Sequence, residues 1–339
     1  MDMHIEQVDP RDPDAFAAWF AVAEQVQQQV RPGEPDWLPH EIRASALSAL
    51  EPDRDRDRWL LAARDGDRVV GAARVDLPLR DNLHLAEVEL YTSPPEQCRG
   101  VARALLAELE RRCRASGRTT LLGYSDEVPV AGGSPMSRGA GAALGFTVGQ
   151  SEVRRDIDLP LNPDRVAALE AESRSYATDF DVVTWGQSVP EPLLADLAHL
   201  HQRMSTDIPL GELDITEESF DGPRVRRHER LALAMDRSLF AAGAIHRPSG
   251  RMVAYTDMAV PRAAARRAYQ WNTLVLAEHR GHRLGTLIKL AALQELSAAY
   301  PQAQFITTWN AEENRAMIRV NDALGARVNG GSMAWQKRL

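Results

Sequence analysis

The alternation of apolar and polar positions divides the chain into two successive runs of the same elements. The first run predicts a strand over 4–8, a helix over about 14–30 and a second helix around 40–50, after the Pro-containing turn PGEPDWLP. Segments 59–64 and 69–75 read as strands joined at Asp65-Gly66-Asp67, a hairpin signal, and 84–92 as a further strand. Residues 100–116 read as a helix, with Val101, Leu105, Leu109 and Cys113 at four-residue spacing on one face. A strand over 119–124, a small-residue segment ending in LGF and a strand over 151–159 complete this half.

The two prolines of PLNPDR, residues 160–165, interrupt both helix and sheet and mark a linker. A short helix follows, up to about residue 180, and then the order repeats. It runs strand 180–185, helices over 191–204 and around 224–235, and a hairpin of 239–246 and 252–260 turning at Pro248-Ser249-Gly250. Strand 269–276, helix 284–300, strand 305–309, helix 314–324 and a last strand complete it, with Leu287, Leu290, Ala291 and Leu293 on the apolar side of the longer helix. Gln97 and Arg280 open corresponding strand-to-helix turns 183 positions apart, and Gly145 and Gly325 end corresponding helices 180 apart. Near-equal offsets with matching order between them predict a duplicated mixed α/β domain, one copy over 1–160 and one over 161–339.

Composition narrows the class. A chain of 339 residues, 44% hydrophobic and 26% charged, folds, and its length exceeds what a single core usually reaches. A formal net charge of −8 argues against a nucleic-acid partner. The 38 Arg against two Lys, Lys289 and Lys337, reflect compositional bias rather than Arg-dependent chemistry. Cys98 and Cys113 are too few for a disulfide scaffold, and neither C-x-x-C nor a Cys/His cluster suggests a metal. The N-terminal residues lack the apolar core of a signal peptide and no stretch has the length of a membrane span, so a cytoplasmic protein is expected.

The segment TSPPEQCRGVARALL, residues 92–106, ends a strand and opens a helix at Gly100. The first N–H groups of a helix have no intrahelical partner and can bind an anion. Gly100 and Ala102 add little bulk there, and Arg99 and Arg103 add charge. The second half repeats the arrangement in NTLVLAEHRGHRLGTLIKL, residues 272–290, where Arg280, Gly281, His282, Arg283, Leu284 and Gly285 form the turn.

These turns resemble the pyrophosphate loop of the GNAT superfamily of acyl-CoA-dependent N-acyltransferases, which runs Gln or Arg, two variable residues, Gly, one variable residue, then Gly or Ala. Gln97-Cys98-Arg99-Gly100-Val101-Ala102 fits fully, and the second turn fits except that Arg283 stands where the first glycine belongs. Doubled in this order, the pattern is similar to tandem two-domain members with the architecture of mycothiol synthase. The resemblance implies, in each half, a central mostly antiparallel mixed sheet flanked by helices. It implies acetyl-CoA as co-substrate, no metal, and direct attack of an amine on the thioester. In similar enzymes the strand after the loop helix splays from its neighbour and an Asn at the next helix start contacts CoA. Asn314 matches that position, with Asn310 just before it, although an Asn there equally suits a helix N-cap. The Tyr general acid of many members is replaced here by Gly141 and Asn321. Main-chain N–H groups over Leu90, Tyr91 and Thr92, or over Leu274, Val275 and Leu276, would polarise the thioester carbonyl.

Acetylation needs a neutral amine, so a base or a water path must take the ammonium proton. Glu87, Glu89 and Tyr91 share one face of the first-half strand, and the family places a carboxylate there; Glu89 is the candidate, against the plainer reading of an exposed polar face. The equivalent second-half positions are Gln270 and Asn272, so the candidate base there is Asp257 on the preceding strand, beside Tyr255, against the plainer reading of an edge-facing acid. Asp207, between the first two helices of that half, is placed to recognise a cationic acceptor, with Tyr255 and Gln270 as further acceptor contacts. His279 and His282 flank the second turn as solvated side chains. The expected function is acetyl-CoA-dependent N-acetyl transfer to a small-molecule amine or a peptide or protein amino group, without nucleic-acid or membrane partners. The alternative is an acyl-CoA-binding or regulatory protein with one or both sites inactive. Between the halves, CoA-arm positioning by helix 314–324 favours the second, while Glu89 favours the first.

Overall fold

The computed structural model describes residues 3–34, 37–127 and 136–339. It forms two compact units, the first of Met1–Ser151, Gly211–Asp214 and Gly331–Leu339, the second of Glu152–Leu210 and Ile215–Gly330. Part of the small-residue segment before LGF, residues 128–135, lies outside the described residues.

Unit 1 runs β1 (Met3–Gln7), α1 (Pro13–Val30), α2 (Pro39–Ser48), β2 (Arg56–Asp65), β3 (Arg68–Pro78), β4 (Leu85–Thr92), α3 (Val101–Ala115), β5 (Thr120–Glu127) and α4 (Met136–Ala143), ending within β6 (Thr147–Asp158). Asp12 starts α1 by accepting hydrogen bonds from the backbone N–H groups of Asp14 at 3.0 Å and Ala15 at 3.1 Å, with Pro13 in the first turn. The strands pair antiparallel in the order β1-β2-β3-β4, and β4 pairs parallel with β5 through the crossover helix α3. Period-two alternation sends Leu61 and Ala63 to the α3 face and Leu60 and Ala62 to the α1–α2 face, so both faces are buried. Helix α3 lies so close to β3 that a Cβ on Gly71 would sit 2.5 Å from Val101 Cγ1.

Unit 2 runs α5 (Pro163–Tyr176), β7 (Phe180–Trp185), α6 (Leu194–Met204), α7 (Gly222–Ala234), β8 (Arg237–His246), β9 (Arg251–Pro261), β10 (Arg267–Val275), α8 (Leu284–Ala299), β11 (Phe305–Ala311) and α9 (Arg315–Ala323), then enters β12 (Arg327–Arg338). Its sheet order, β7-β8-β9-β10-β11, repeats that of unit 1, again with one parallel pair, β10–β11. Helix α8 is buried on most of its circumference, against β8 and β9 and against α5, which is why its sequence reads as apolar with few breaks.

The sequence halves 1–160 and 161–339 differ from the packed units in their closing strands and in Gly211–Asp214, which belongs to unit 1. Glu152–Asp158 of β6 pairs with β11 in unit 2, and Gly331–Arg338 of β12 pairs with β5 in unit 1. Backbone pairing and burial decide membership, and each closing strand finds its ladder in the other half's sheet. The mixed α/β class and the sheet flanked by helices are as the sequence implies. Among the described residues no helix is long and apolar enough to cross a membrane.

Candidate active site

In both units the parallel pair opens after a few residues. β10 pairs with β11 only from Arg267↔Phe305 to Tyr269↔Thr307, and β4 with β5 only from Leu85↔Thr120 to Val88↔Gly123. Beyond these points neither pair continues among the described residues, which opens a wedge beside β10 and beside β4. Leu276 N–H is spent on Val253 O at 3.0 Å, so strand alternation turns the Val275 amide toward the wedge.

The units differ at the strand that borders this wedge. The β9–β10 register slips between Gln270 and Asn272, leaving Trp271 as the extra residue of a bulge, whereas the β3–β4 register is regular. Gln270 holds the bulge: its Nε2 donates to Thr256 Oγ1 at 3.0 Å, Asp257 O at 2.7 Å and Asn272 O at 2.8 Å. Its Nε2 is therefore engaged by the Thr256 hydroxyl and the backbone, and Gln270 does not line the neighbouring cavity.

That cavity, about 330 Å³, is walled by α6, α7, the loop between them and strands β7–β10. Asp257 and Tyr255 both face it. Asp257 Oδ1 accepts from Asn272 N–H at 2.8 Å and Oδ2 from Asn272 Nδ2 at 3.3 Å. Burial pushes the Asp257 carboxyl up to about 7 against the opposing effect of these bonds. Tyr255, fully buried, is raised well above the ordinary phenol range by burial and by Asp257, and its hydroxyl meets His201 Nδ1 at 3.3 Å. Burial, aided by His228 and Arg224, lowers His201 to about 3, so its ring is uncharged at neutral pH.

Asp207 lies beside the cavity rather than on its lining. Its carboxylate pairs with Arg203 and stands 3.9 Å from Arg280, whose Nε donates to Val275 O at 3.1 Å. Asp207 thus fastens the loop after α6 to the start of the second turn.

The two turns share one backbone shape. Left-handed residues occur at equivalent positions, Cys98 (φ 62°) and Gly100 (φ 89°) in unit 1, Gly281 (φ 88°) and Arg283 (φ 56°) in unit 2. The conformation is kept although the glycine has changed place, so Arg283 in the family glycine's position alters the side chain and not the path of the turn. The Arg283 guanidinium is drawn to Glu172 at 2.8 Å and lies 5.2 Å from the Tyr176 ring centroid. Neither α3 nor α8 has a side-chain cap, and nothing lies within 4 Å of a Cβ built on Gly100 or Gly281. Helix N–H groups without a side-chain cap, at Val101, Ala102 and Arg103 or at Leu284 and Gly285, suit a phosphate group. In unit 1 Gln97 donates to Gln29 Oε1 at 3.1 Å and Arg99 pairs with buried Glu96 at 3.1 Å. In unit 2 His282 Nδ1 contacts Tyr176 O at 3.0 Å, while burial, His246 and His282 lower His279.

Asn314 caps α9, accepting from Met317 N–H at 3.2 Å. Asn310 Oδ1 accepts from Asn321 Nδ2, and Asn321 Oδ1 accepts from Lys289 Nζ at 2.7 Å. Both asparagines therefore brace the far side of the second wedge. In unit 1, Glu89 is occupied by an ion pair with Arg74 and by Tyr91 Oη–H at 2.6 Å. Although burial disfavours its charge, the Arg74 guanidinium is held firmly protonated by Glu89 and Asp76.

Sequence reasoning misses His201, Phe220, Trp185 and Trp271. His201 sits in α6 as an ordinary polar break, and Trp271 reads as one more strand residue because a bulge has no signature in side-chain alternation.

The Acetyltransferase (GNAT) family profile matches residues 19–127. A tandem GNAT protein from the clavulanic acid biosynthesis pathway is similar over 99% of this chain and 98% of its own, at 25% identity and a TM-score of 0.79. A GCN5-related N-acetyltransferase from Sphaerobacter thermophilus is 15% identical, with a TM-score of 0.64 over 99% and 95% of the two chains. N-myristoyltransferase of Saccharomyces cerevisiae, with bound myristoyl-CoA, is 9% identical, with a TM-score of 0.59 over 98% and 78%. No curated protein sequence matches the chain. The chain has a tandem-domain GNAT-superfamily acyltransferase fold, one suited in general to CoA-thioester acyl transfer onto an amine-bearing acceptor.

Proposed function

We propose that this tandem GNAT-superfamily fold is an acetyl-CoA-dependent N-acetyltransferase whose chemistry takes place in unit 2, with Asp257 as the base for the acceptor amine. The carrying observation is the position of Asp257: a half-buried carboxylate in a cavity that abuts the bulged strand of the open wedge. Bound acetyl-CoA would supply an activated acyl group. The first turn of α8, with Arg280, Gly281, Leu284 and Gly285, would hold its pyrophosphate, and Leu274, Val275 and Leu276 would border its thioester end. Asp257 takes a proton from the acceptor ammonium, freeing the nitrogen lone pair, and Asn272 keeps the carboxylate aimed. A carboxyl poised near neutrality both accepts and returns that proton at working pH.

Unit 1 supports a second role, CoA-thioester binding without turnover. Its turn has the same left-handed shape, but its strand has no bulge and Glu89 is held in place by Arg74 and Tyr91. The free thiols Cys98 and Cys113 suit a reducing cytoplasm. Free-CoA release, followed with the intact chain, acetyl-CoA and a panel of amines, tests the reading. Amine-dependent release is expected; acetyl-CoA binding with no release from any amine would make the chain a binder.

A further inference from the structure

We infer that the unit 2 cavity selects an arylalkylamine, a small primary amine whose body is flat and apolar, as its acceptor. The inference rests on the acyl-transfer reading for the word acceptor, and on the cavity alone for the ligand class. At about 330 Å³ the space lies at the small end of ligand sites, which run from about 300 to 1,000 Å³.

Its charges leave one vacancy of sign. Three carboxylates line it, Asp257, Glu218 and Glu229. Glu218 is neutralised by Arg224 at 2.8 Å, and Glu229 by Arg226 at 2.8 Å with Val189 N–H at 2.7 Å. Among the described residues no Lys or Arg forms an ion pair with Asp257. A ligand ammonium would pair with that carboxylate, whereas a ligand carboxylate or phosphate would meet like charge there. His201 is uncharged and does not compete for the position.

Two further polar side chains on the lining are already engaged within the protein. Ser205 Oγ donates to Gln202 O at 2.6 Å and accepts from Glu218 N–H at 3.0 Å. Gln187 Nε2 donates to Glu229 O at 3.3 Å. An amino sugar would set several hydroxyls against a lining that is mostly apolar, where each one left unpaired weakens binding. An apolar body instead meets Trp185, Trp271, Leu197 and Leu239, where it gains by burial and by contact with the indoles. The wall on the helical side is rigid, because Phe220 is clamped between Arg224, 4.0 Å from its centroid, and the stacked ring of His201 at 5.1 Å.

Titration calorimetry on the intact chain without acetyl-CoA, using 2-phenylethylamine, 2-phenylethanol, phenylalanine and glucosamine, separates these contributions. Phenylethylamine should bind at least tenfold more tightly than each of the other three. Asp257→Asn should erase its advantage over the alcohol, and Trp185→Leu on the edge strand should weaken phenylethylamine and phenylethanol alike. Equal or tighter binding of phenylalanine or glucosamine would overturn the ligand class, whatever the outcome for acyl transfer. Selective amine binding with no CoA release from any amine would keep the ligand class and sink the transfer reading.

Discussion

Replacing Lys289 with Met should stabilise the protein at and below neutral pH. Lys289 projects from the largely apolar helix α8, is 1% exposed, and has one hydrogen-bond partner shown, Asn321 Oδ1 at 2.7 Å. Burial lowers its ammonium from an ordinary 10.5 to about 7. That gap corresponds to about 5 kcal/mol of cost for holding the charge in the fold, at about 1.36 kcal/mol for each tenfold change. A cation whose folded value lies below its unfolded one imposes the full cost where both states are charged, below pH 7. The cost fades between pH 7 and 10.5 and is absent above. Met is unbranched like Lys and one atom shorter, but it leaves Asn321 Oδ1 without its donor, costing about 1–3 kcal/mol. The net gain is about 2–4 kcal/mol at pH 6, reversing to a small loss near pH 10. Urea unfolding followed at pH 6, 8 and 10 measures it. A Met variant less stable than the parent at pH 6, or a difference that does not move with pH, would refute this account of the buried amine.

Three further outcomes follow from the turns and the base. Arg283→Gly should raise stability by about 1 kcal/mol in thermal unfolding, since a left-handed non-glycine residue is strained and the pair it loses with Glu172 is half exposed. Gly100→Glu, which places an anion and a side chain at the first turn, should lower calorimetric acetyl-CoA stoichiometry from two sites to one while leaving turnover intact. With Asp257 near 7, the base is ionised above that value, so kcat/KM should rise about tenfold between pH 6 and pH 8. Asp257→Asn should remove that inflection, which pH–rate profiles would show directly.

What the sequence makes legible is local and repeated. Helix α3 announces itself through Val101, Leu105, Leu109 and Cys113, all buried against the sheet, and the hairpin turns fall at Gly66 and Gly250, both with positive φ. The doubled turn is legible because each copy keeps a glycine, Gly100 or Gly281, at one of its two left-handed positions, while Cys98 and Arg283 leave the other unmarked. The exchange of β6 and β12 is not, because ladder partners hundreds of positions apart leave no mark on either strand. Nor is the bulge at Trp271, on which the separation of Asp257 in unit 2 from Glu89 in unit 1 depends. Asp257 and Glu89 lie on non-equivalent strands, β9 and β4, and the cross-strand neighbour of each, Asn272 for one and Arg74 for the other, sets what it can do.

The most direct measurement is steady-state CoA release by the parent chain, Asp257→Asn and Glu89→Gln with one accepted amine, after circular dichroism has shown that each variant folds. The account predicts that Asp257→Asn loses at least about a hundredfold in kcat, the lower range for removing a general base, while Glu89→Gln stays within a few fold. Loss of turnover in Glu89→Gln with Asp257→Asn unaffected would place the chemistry in unit 1 and contradict the account.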